Sequence, residues 1–179
     1  MNSIIRPLRQ TDAADILAIY APYVTDTTIT FETSVPTLKE FSKRIENIQN
    51  DYPYLVCEVD GKVVGYAYAS KYRERAAYRY SVEVSVYVAP DYHHKGIGKA
   101  LYKSLFAALE AYNYYSAYAG ITLPNDKSIG LHKSFGFVEV GIYHNIGYKD
   151  GKWLDVIWLE KPLKDYGIPP GKDGDGDDR

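Results

Sequence analysis

Val88-Ala89-Pro90-Asp91-Tyr92-His93-His94-Lys95-Gly96-Ile97-Gly98-Lys99-Ala100-Leu101 sits at the chemical centre of this chain. Just upstream, Ser81 to Val88 alternates: Val82, Val84, Val86 and Val88 fall on one face, and Glu83, Ser85 and Tyr87 on the other, the pattern of a half-buried strand. Pro90 cannot donate to a ladder and ends it. Downstream, Ile97, Leu101, Leu105, Ala108, Leu109 and Tyr112 recur at helical spacing. Gly96 and Gly98 therefore stand where a strand gives way to a helix N-terminus. Unpaired backbone N–H groups and the positive end of the helix dipole favour an anion there, and the missing side chains let a bulky one approach. A pyrophosphate suits that arrangement.

Spacing excludes two common phosphate loops. A Walker A loop needs a glycine five residues before Gly98, where His93 stands, and Ser or Thr after Lys99, where Ala100 stands. A dinucleotide fingerprint needs a third glycine at the place of Leu101.

Working outward, Ile4 to Leu8 reads as a first strand, and Thr11 or Asp12 as the cap of a helix with Ile16, Leu17, Ile19 and Tyr20 on its apolar face. A loop is expected from Pro22 to Pro36. Thr37 and Glu40 then form a capping box that opens a second helix, to about Asn50. Leu55 to Val59 and Lys62 to Ser70 flank Asp60-Gly61, a hairpin signal. Ser116 to Leu123 returns as a strand, Asp126 to Phe135 as a helix stopped by Gly136, and a closing hairpin turns at Asp150-Gly151. Strands alternate with helices but hairpins interrupt them. The fold class expected is α/β (α+β mixed), a central mixed, mostly antiparallel sheet with helices on both faces.

One domain is expected over residues 1–166, followed by a disordered tail over 167–179 rich in Gly and Asp, with nothing to bury. The 46% hydrophobic content supplies a core without disulfides. A net charge of −2 gives no reason to expect nucleic acid or an anionic membrane as partner. The single cysteine, Cys57, lies in an apolar run and reads as a small buried hydrophobe, and no metal site is visible. No segment reaches the ~20 apolar residues that span a bilayer, so a soluble cytoplasmic protein is expected.

The glycine loop resembles the acetyl-CoA loop of the GNAT superfamily, Q/R-x-x-G-x-G/A, here His93-His94-Lys95-Gly96-Ile97-Gly98 with histidine in first place. The resemblance runs from about Ile4 to Leu163. It is similar to the phosphinothricin acetyltransferase branch in Thr30-Phe31-Glu32-Thr33, Tyr54-Leu55-Val56, Glu83, Tyr87-Val88, Leu123-Pro124-Asn125-Asp126, His132, Gly151-Lys152-Trp153 and Asp155-Val156. The resemblance implies a GNAT fold and an enzyme that moves acetyl from acetyl-CoA, as co-substrate, to a small-molecule amine. The acceptors implied are phosphinothricin and methionine sulfone or sulfoximine.

The same resemblance assigns roles. Glu83 is the general base. Val86, Tyr87 and Val88 run beside the pantetheine arm, His93 to Gly98 cradle the pyrophosphate with Lys95 and Lys99 adding charge, and Asn125 bonds the coenzyme. His132 takes the place where many family members carry a tyrosine that protonates the leaving thiolate. Phe31, Glu32 and Thr33 close over the amino acid, with Glu32 the candidate to hold its ammonium. Apart from the resemblance, the position of Arg73 and Arg75 between two strands at the expected cleft edge makes them candidate bidentate donors for an anionic acceptor group. A homodimer is implied by the branch and by the apolar residues Trp153, Val156, Ile157 and Trp158.

Each residue also has a plainer reading: Glu83 as a solvated strand residue, Asn125 as a helix cap, His132 as structural, Arg73 and Arg75 as a solvated loop, and the last hairpin as core. Two other functions stay open, an acetyltransferase acting on a protein N-terminus or another amine, and a non-catalytic acyl-CoA-binding module. Glu83 and His132 argue against the module, because binding alone requires neither.

Overall fold

In the computed structural model, which describes residues 3–170, seven strands join in one sheet. They are β1 (Ser3–Pro7), β2 (Tyr54–Val59), β3 (Lys62–Lys71), β4 (Ser81–Val88), β5 (Ser116–Thr122), β6 (Val138–Lys149) and β7 (Lys152–Pro162), in the order β1-β2-β3-β4-β5-β7-β6. All neighbours are antiparallel except β4 and β5. The helices are α1 (Ala13–Thr25), α2 (Leu38–Gln49), α3 (Ile97–Ala111) and α4 (Asp126–Ser134). The segment 171–179, most of the expected tail, lies outside the described residues.

Two cores, one on each face, follow from strand alternation. Ile16, Ile19, Tyr20 and Val24 of α1 with Phe41 and Ile45 of α2 pack on Tyr54, Val56, Val63 and Tyr66. On the other face Leu101, Leu105 and Leu109 of α3 cover Val64, Ala67, Ala69, Val82 and Val84. The valine face of β4 thus belongs to α3, and Tyr87 packs on the α1 side. Cys57 is buried in the α3 core.

The turns form where their residues favour positive φ: Asp60 and Gly61 at 49° and 83°, Asp150 and Gly151 at 52° and 78°. Thr37 and Glu40 exchange both capping-box bonds, Oγ1 of Thr37 accepting from the Glu40 N–H at 3.3 Å and the Glu40 carboxylate from the Thr37 N–H at 2.8 Å.

Two expectations are corrected. The loop does not begin at Pro22, because α1 runs through it to Thr25. A proline this near a helix end removes one bond, to Ala18, while burial of Val24 and the bond from Asp26 N–H to the Pro22 carbonyl hold the last turn. Asp12 is not the side-chain cap of α1. Its carboxylate accepts from Arg6 at 2.7 and 3.0 Å and from the Arg9 N–H at 2.7 Å, which ties β1 to a short 3-10 turn ahead of α1. No helix among the described residues is long and apolar enough to cross a membrane.

Candidate active site

The sheet opens in its middle. β4 and β5 pair only from Ser81–Glu83 to Ser116–Tyr118, after which β5 stays with β7 and, among the described residues, the second half of β4 has no strand neighbour on that side. Backbone groups of an unpaired strand edge are donors and acceptors waiting for a partner. Glu83 stands at the fork.

Below the fork, along the open edge of β4, lies a cleft of about 510 Å³. Val86, Tyr87, Val88, His93, His94, Gly96, Ile97, Gly98, Lys99 and Asn125, all expected at the coenzyme, are brought together in its lining. Gly96 has φ 77°, a conformation that costs residues with a Cβ roughly 1–2 kcal/mol. It turns the chain into α3, which has no side-chain cap, so the first amides of the helix keep their N–H groups free. Around Gly98 a built Cβ would meet Leu131 at 3.5 Å and Val88 at 3.8 Å, so the floor of the cradle is already at contact distance. These features fit a bulky phosphorylated ligand with an extended arm.

Three details depart from expectation. Lys95 points away from the cleft, with Nζ donating to the Asp91 carbonyl at 2.9 Å and lying 4.7 Å from the Tyr92 ring centre. His93 is engaged with the end of β4: its Nε2 lies 2.9 Å from the Val88 carbonyl, which can only accept, and 3.0 Å from Tyr23 Oη. The cleft also gains Lys127, whose Nζ is 3.5 Å from His94 Nε2, along with Tyr23, Ile29, Tyr92, Ser128 and Leu131. Lys127 follows a capping asparagine and carries no motif of its own; only the fold brings it across to His94.

In the fork itself a small cavity of about 70 Å³ holds His132 and Tyr102. His132 is buried. Its Nδ1 is 2.7 Å from the Ser128 carbonyl, so this nitrogen carries the proton, and Nε2 accepts from the Tyr102 hydroxyl at 2.9 Å. Burial holds the imidazole below its usual pKa, opposed by the bond to Ser128, so the ring is neutral near pH 7. Asn125 caps α4, its Oδ1 accepting from Ser128 N–H at 3.2 Å, and lines both cavities.

Above the fork, on the α1 face, a pocket of about 610 Å³ is walled by Tyr20, Phe31, Tyr68, Tyr72, Tyr87, Tyr143 and Trp158, with Glu83 and Arg73 as its charged members. Burial raises the Glu83 carboxyl above the usual carboxylate range, and the Arg73 charge pulls it part of the way back. Arg73 lies over the Tyr72 ring at 5.2 Å, and Tyr72 stacks on Tyr118 at 4.4 Å.

Arg75 does not line this pocket and opens a short 3-10 turn on the surface. Glu32 is turned away: its carboxylate accepts a hydrogen bond from the Tyr20 hydroxyl and forms an ion pair with Arg44 at 2.7 Å, so it is not placed to hold an ammonium here. Thr33 is exposed and does not line the pocket. Of the hairpin residues expected at an interface, Ile157 is core, Val156 and Trp158 line this pocket, and Trp153 is exposed. Among the described residues no group of three His, Cys, Asp or Glu side chains is arranged to hold a metal ion.

Residues 5–158 match the family model described as an acetyltransferase (GNAT) domain. The chain is 43% identical over 163 residues to the phosphinothricin N-acetyltransferase of Streptomyces coelicolor, covering 89% of this chain and 95% of that protein. It is 35% identical over 165 residues to the L-methionine sulfoximine/L-methionine sulfone acetyltransferase of Pseudomonas aeruginosa, covering 91% and 96%. Among solved structures it superposes on a phosphinothricin acetyltransferase from Sinorhizobium meliloti in complex with acetyl-CoA with a TM-score of 0.91 at 35% identity, covering 97% of this chain and 95% of that one.

Proposed function

The chain belongs to the GNAT acetyltransferase family, and from that premise we propose that it acetylates the amino group of a small amino acid with a tetrahedral phosphorus or sulfur centre. The observation that carries the reading is the aromatic pocket with Glu83 at the strand fork and Arg73 in its wall, across that fork from the glycine cradle. The names of the Streptomyces and Pseudomonas relatives support this acceptor class.

Acetyl-CoA, when bound, supplies the acetyl group as a thioester. The cradle amides of Ile97, Gly98 and Lys99, with His94 and Lys127, take its phosphates, and the unpaired edge of β4 takes its arm as an added strand. Glu83, whose carboxyl burial raises above its ordinary pKa, accepts a proton from the acceptor ammonium, directly or through water. Arg73 offers paired N–H donors to the acceptor's carboxylate or phosphorus oxygens. The proton held between Tyr102 Oη and His132 Nε2, beside the fork, is the one we assign to the leaving sulfur.

A homodimer belongs to the same reading. It is supported by exposed apolar side chains of β6, among them Val138, Val140 and Ile146 at 55%, 57% and 55%, together with Trp153 at 64% on β7.

The test follows free thiol release from acetyl-CoA against phosphinothricin, methionine sulfone, methionine sulfoximine, common amino acids, polyamines and short peptides. Turnover confined to the phosphorus and sulfur analogues is expected. Turnover of peptides or polyamines alone overturns the acceptor class, and coenzyme binding with silence across the panel overturns catalysis on small amines.

A further inference from the structure

The segment between α1 and α2 has no regular secondary structure, yet its Ile29 lines the coenzyme cleft, the fork cavity and the acceptor pocket alike, and its Phe31 lines the acceptor pocket. Such a segment keeps one shape only if something outside it holds it. Tyr20 on Thr30 and Thr122 on the Ile29 carbonyl contribute, and β6 supplies the most bonds to its backbone. Lys149, 4% exposed, sends Nζ to the carbonyls of Val24 at 2.8 Å, Thr27 at 2.7 Å and Thr30 at 2.9 Å. All three ammonium donors are thereby used. No carboxylate pairs with it among the described residues; backbone dipoles, one from the last turn of α1, take its charge.

Two residues earlier, on the same face of β6, Gly147 meets the Phe31 ring. A Cβ at Gly147 would lie 2.3 Å from Cε2 and 2.6 Å from Cζ, so any side chain there evicts the ring. Gly147 reaches this place through an irregularity in the hairpin: pairing jumps from Tyr143–Val156 to Gly147–Leu154. Asp155 pins the extra residues, accepting from Asn145 N–H at 2.8 Å and bonding His144 Nδ1 at 3.0 Å.

We propose that Lys149 and Gly147 are positioning residues that set the acceptor pocket from the last hairpin: Lys149 fixes the path of residues 24–30, and Gly147 seats Phe31 as the pocket's outer wall. The inference rests on the acceptor pocket named above and extends it to specificity. Neither residue lines the glycine cradle, and Gly147 acts through Phe31, which lines the acceptor pocket and not the coenzyme cleft, so a change at Gly147 should move the acceptor half-site alone.

The experiment takes whichever acceptor the panel identifies and compares Gly147→Ala, Phe31→Ala, the double variant and Lys149→Met. For Gly147→Ala we expect acceptor KM to rise about tenfold with coenzyme Kd and kcat within about threefold. In the Phe31→Ala background the same substitution should change nothing further, because the ring it displaces is gone. Lys149→Met should speed amide hydrogen exchange across residues 27–32 while the β3 and β4 amides keep their protection, a measurement independent of any acceptor. Independent, multiplying effects of Gly147→Ala and Phe31→Ala, losses shared equally by coenzyme and acceptor, or unchanged exchange in Lys149→Met each overturn the proposal. An acceptor outside the phosphorus and sulfur class overturns the acceptor assignment instead, with the Gly147–Phe31 coupling still read on that acceptor.

Discussion

The coenzyme cleft and the acceptor pocket share Ile29, yet they are built by opposite means. Below the fork most of the cleft's lining residues come from one run, Val86 to Lys99, whose cradle is shaped by a strand end, a left-handed glycine and an uncapped helix start. Above it the pocket is largely side chains from α1, the following segment, β3, β4 and the last hairpin. A backbone cradle tolerates changes of side chain and fails when its torsions change; a side-chain pocket does the reverse. Substitutions can therefore pull the two apart.

The largest separation is expected at the fork. Glu83→Gln keeps the shape but cannot accept a proton, so turnover should fall at least ~100-fold while coenzyme Kd, read by calorimetry, stays put. Equal turnover would remove Glu83 as the base. Next comes the cradle: Gly96→Ala forces a Cβ into φ 77°, about 1–2 kcal/mol of strain, and should weaken coenzyme binding about tenfold with acceptor KM little changed. A matching rise in acceptor KM would mean the two half-sites are one.

Arg73→Ala sharpens the comparison from the other side. Acceptor KM should rise several-fold, the modest effect of losing a charged hydrogen bond from a solvent-exposed group, with coenzyme Kd unchanged. The sign of the pH effect follows from the same charge. Burial is the main cause that raises the Glu83 pKa, and Arg73 opposes it by favouring the ionised form. Removing Arg73 moves that pKa further up, so less base is ionised at any given acidic pH and the acid limb of kcat/KM should shift to higher pH. An acid limb that moves down, or not at all, disconnects Arg73 from Glu83.

How much was legible in the sequence follows the same division. The cradle, the capping box at Thr37 and Glu40 and the Asp-Gly turns are local chemistry, and each residue carries its own signal. The pocket is long-range. Lys149 and Thr30 are 119 residues apart, and a lysine before an Asp-Gly turn reads as hairpin surface until the fold buries it. Tyr72 and Tyr143 read as ordinary packing residues, since nothing about them differs from the other tyrosines before the sheet is assembled, and Trp158 reads as interface or core, not as pocket wall. Glu32 shows the converse: a carboxylate with the right neighbours in sequence is claimed by Tyr20 and Arg44, which sequence spacing does not bring into view. Pro22 was read as a stop because proline breaks helix interiors, whereas near a helix end it removes a single bond.

The smallest expected effect tests whether the cleft depends on charge placed by the backbone or merely on charge nearby. Lys95, Lys99 and Lys127 are all near the helix start, but only Lys99 and Lys127 line the cleft. Lys95 is held over Tyr92 with its ammonium on the Asp91 carbonyl. Lys95→Ala should therefore leave coenzyme Kd within about twofold, the range of an exposed substitution away from any site, whereas Lys127→Ala should weaken it more and flatten its dependence on salt. If Lys95→Ala weakens binding as much as Lys127→Ala does, the cleft draws on diffuse positive charge. The backbone of Gly96 to Lys99 would then supply the shape of the site but not most of its grip.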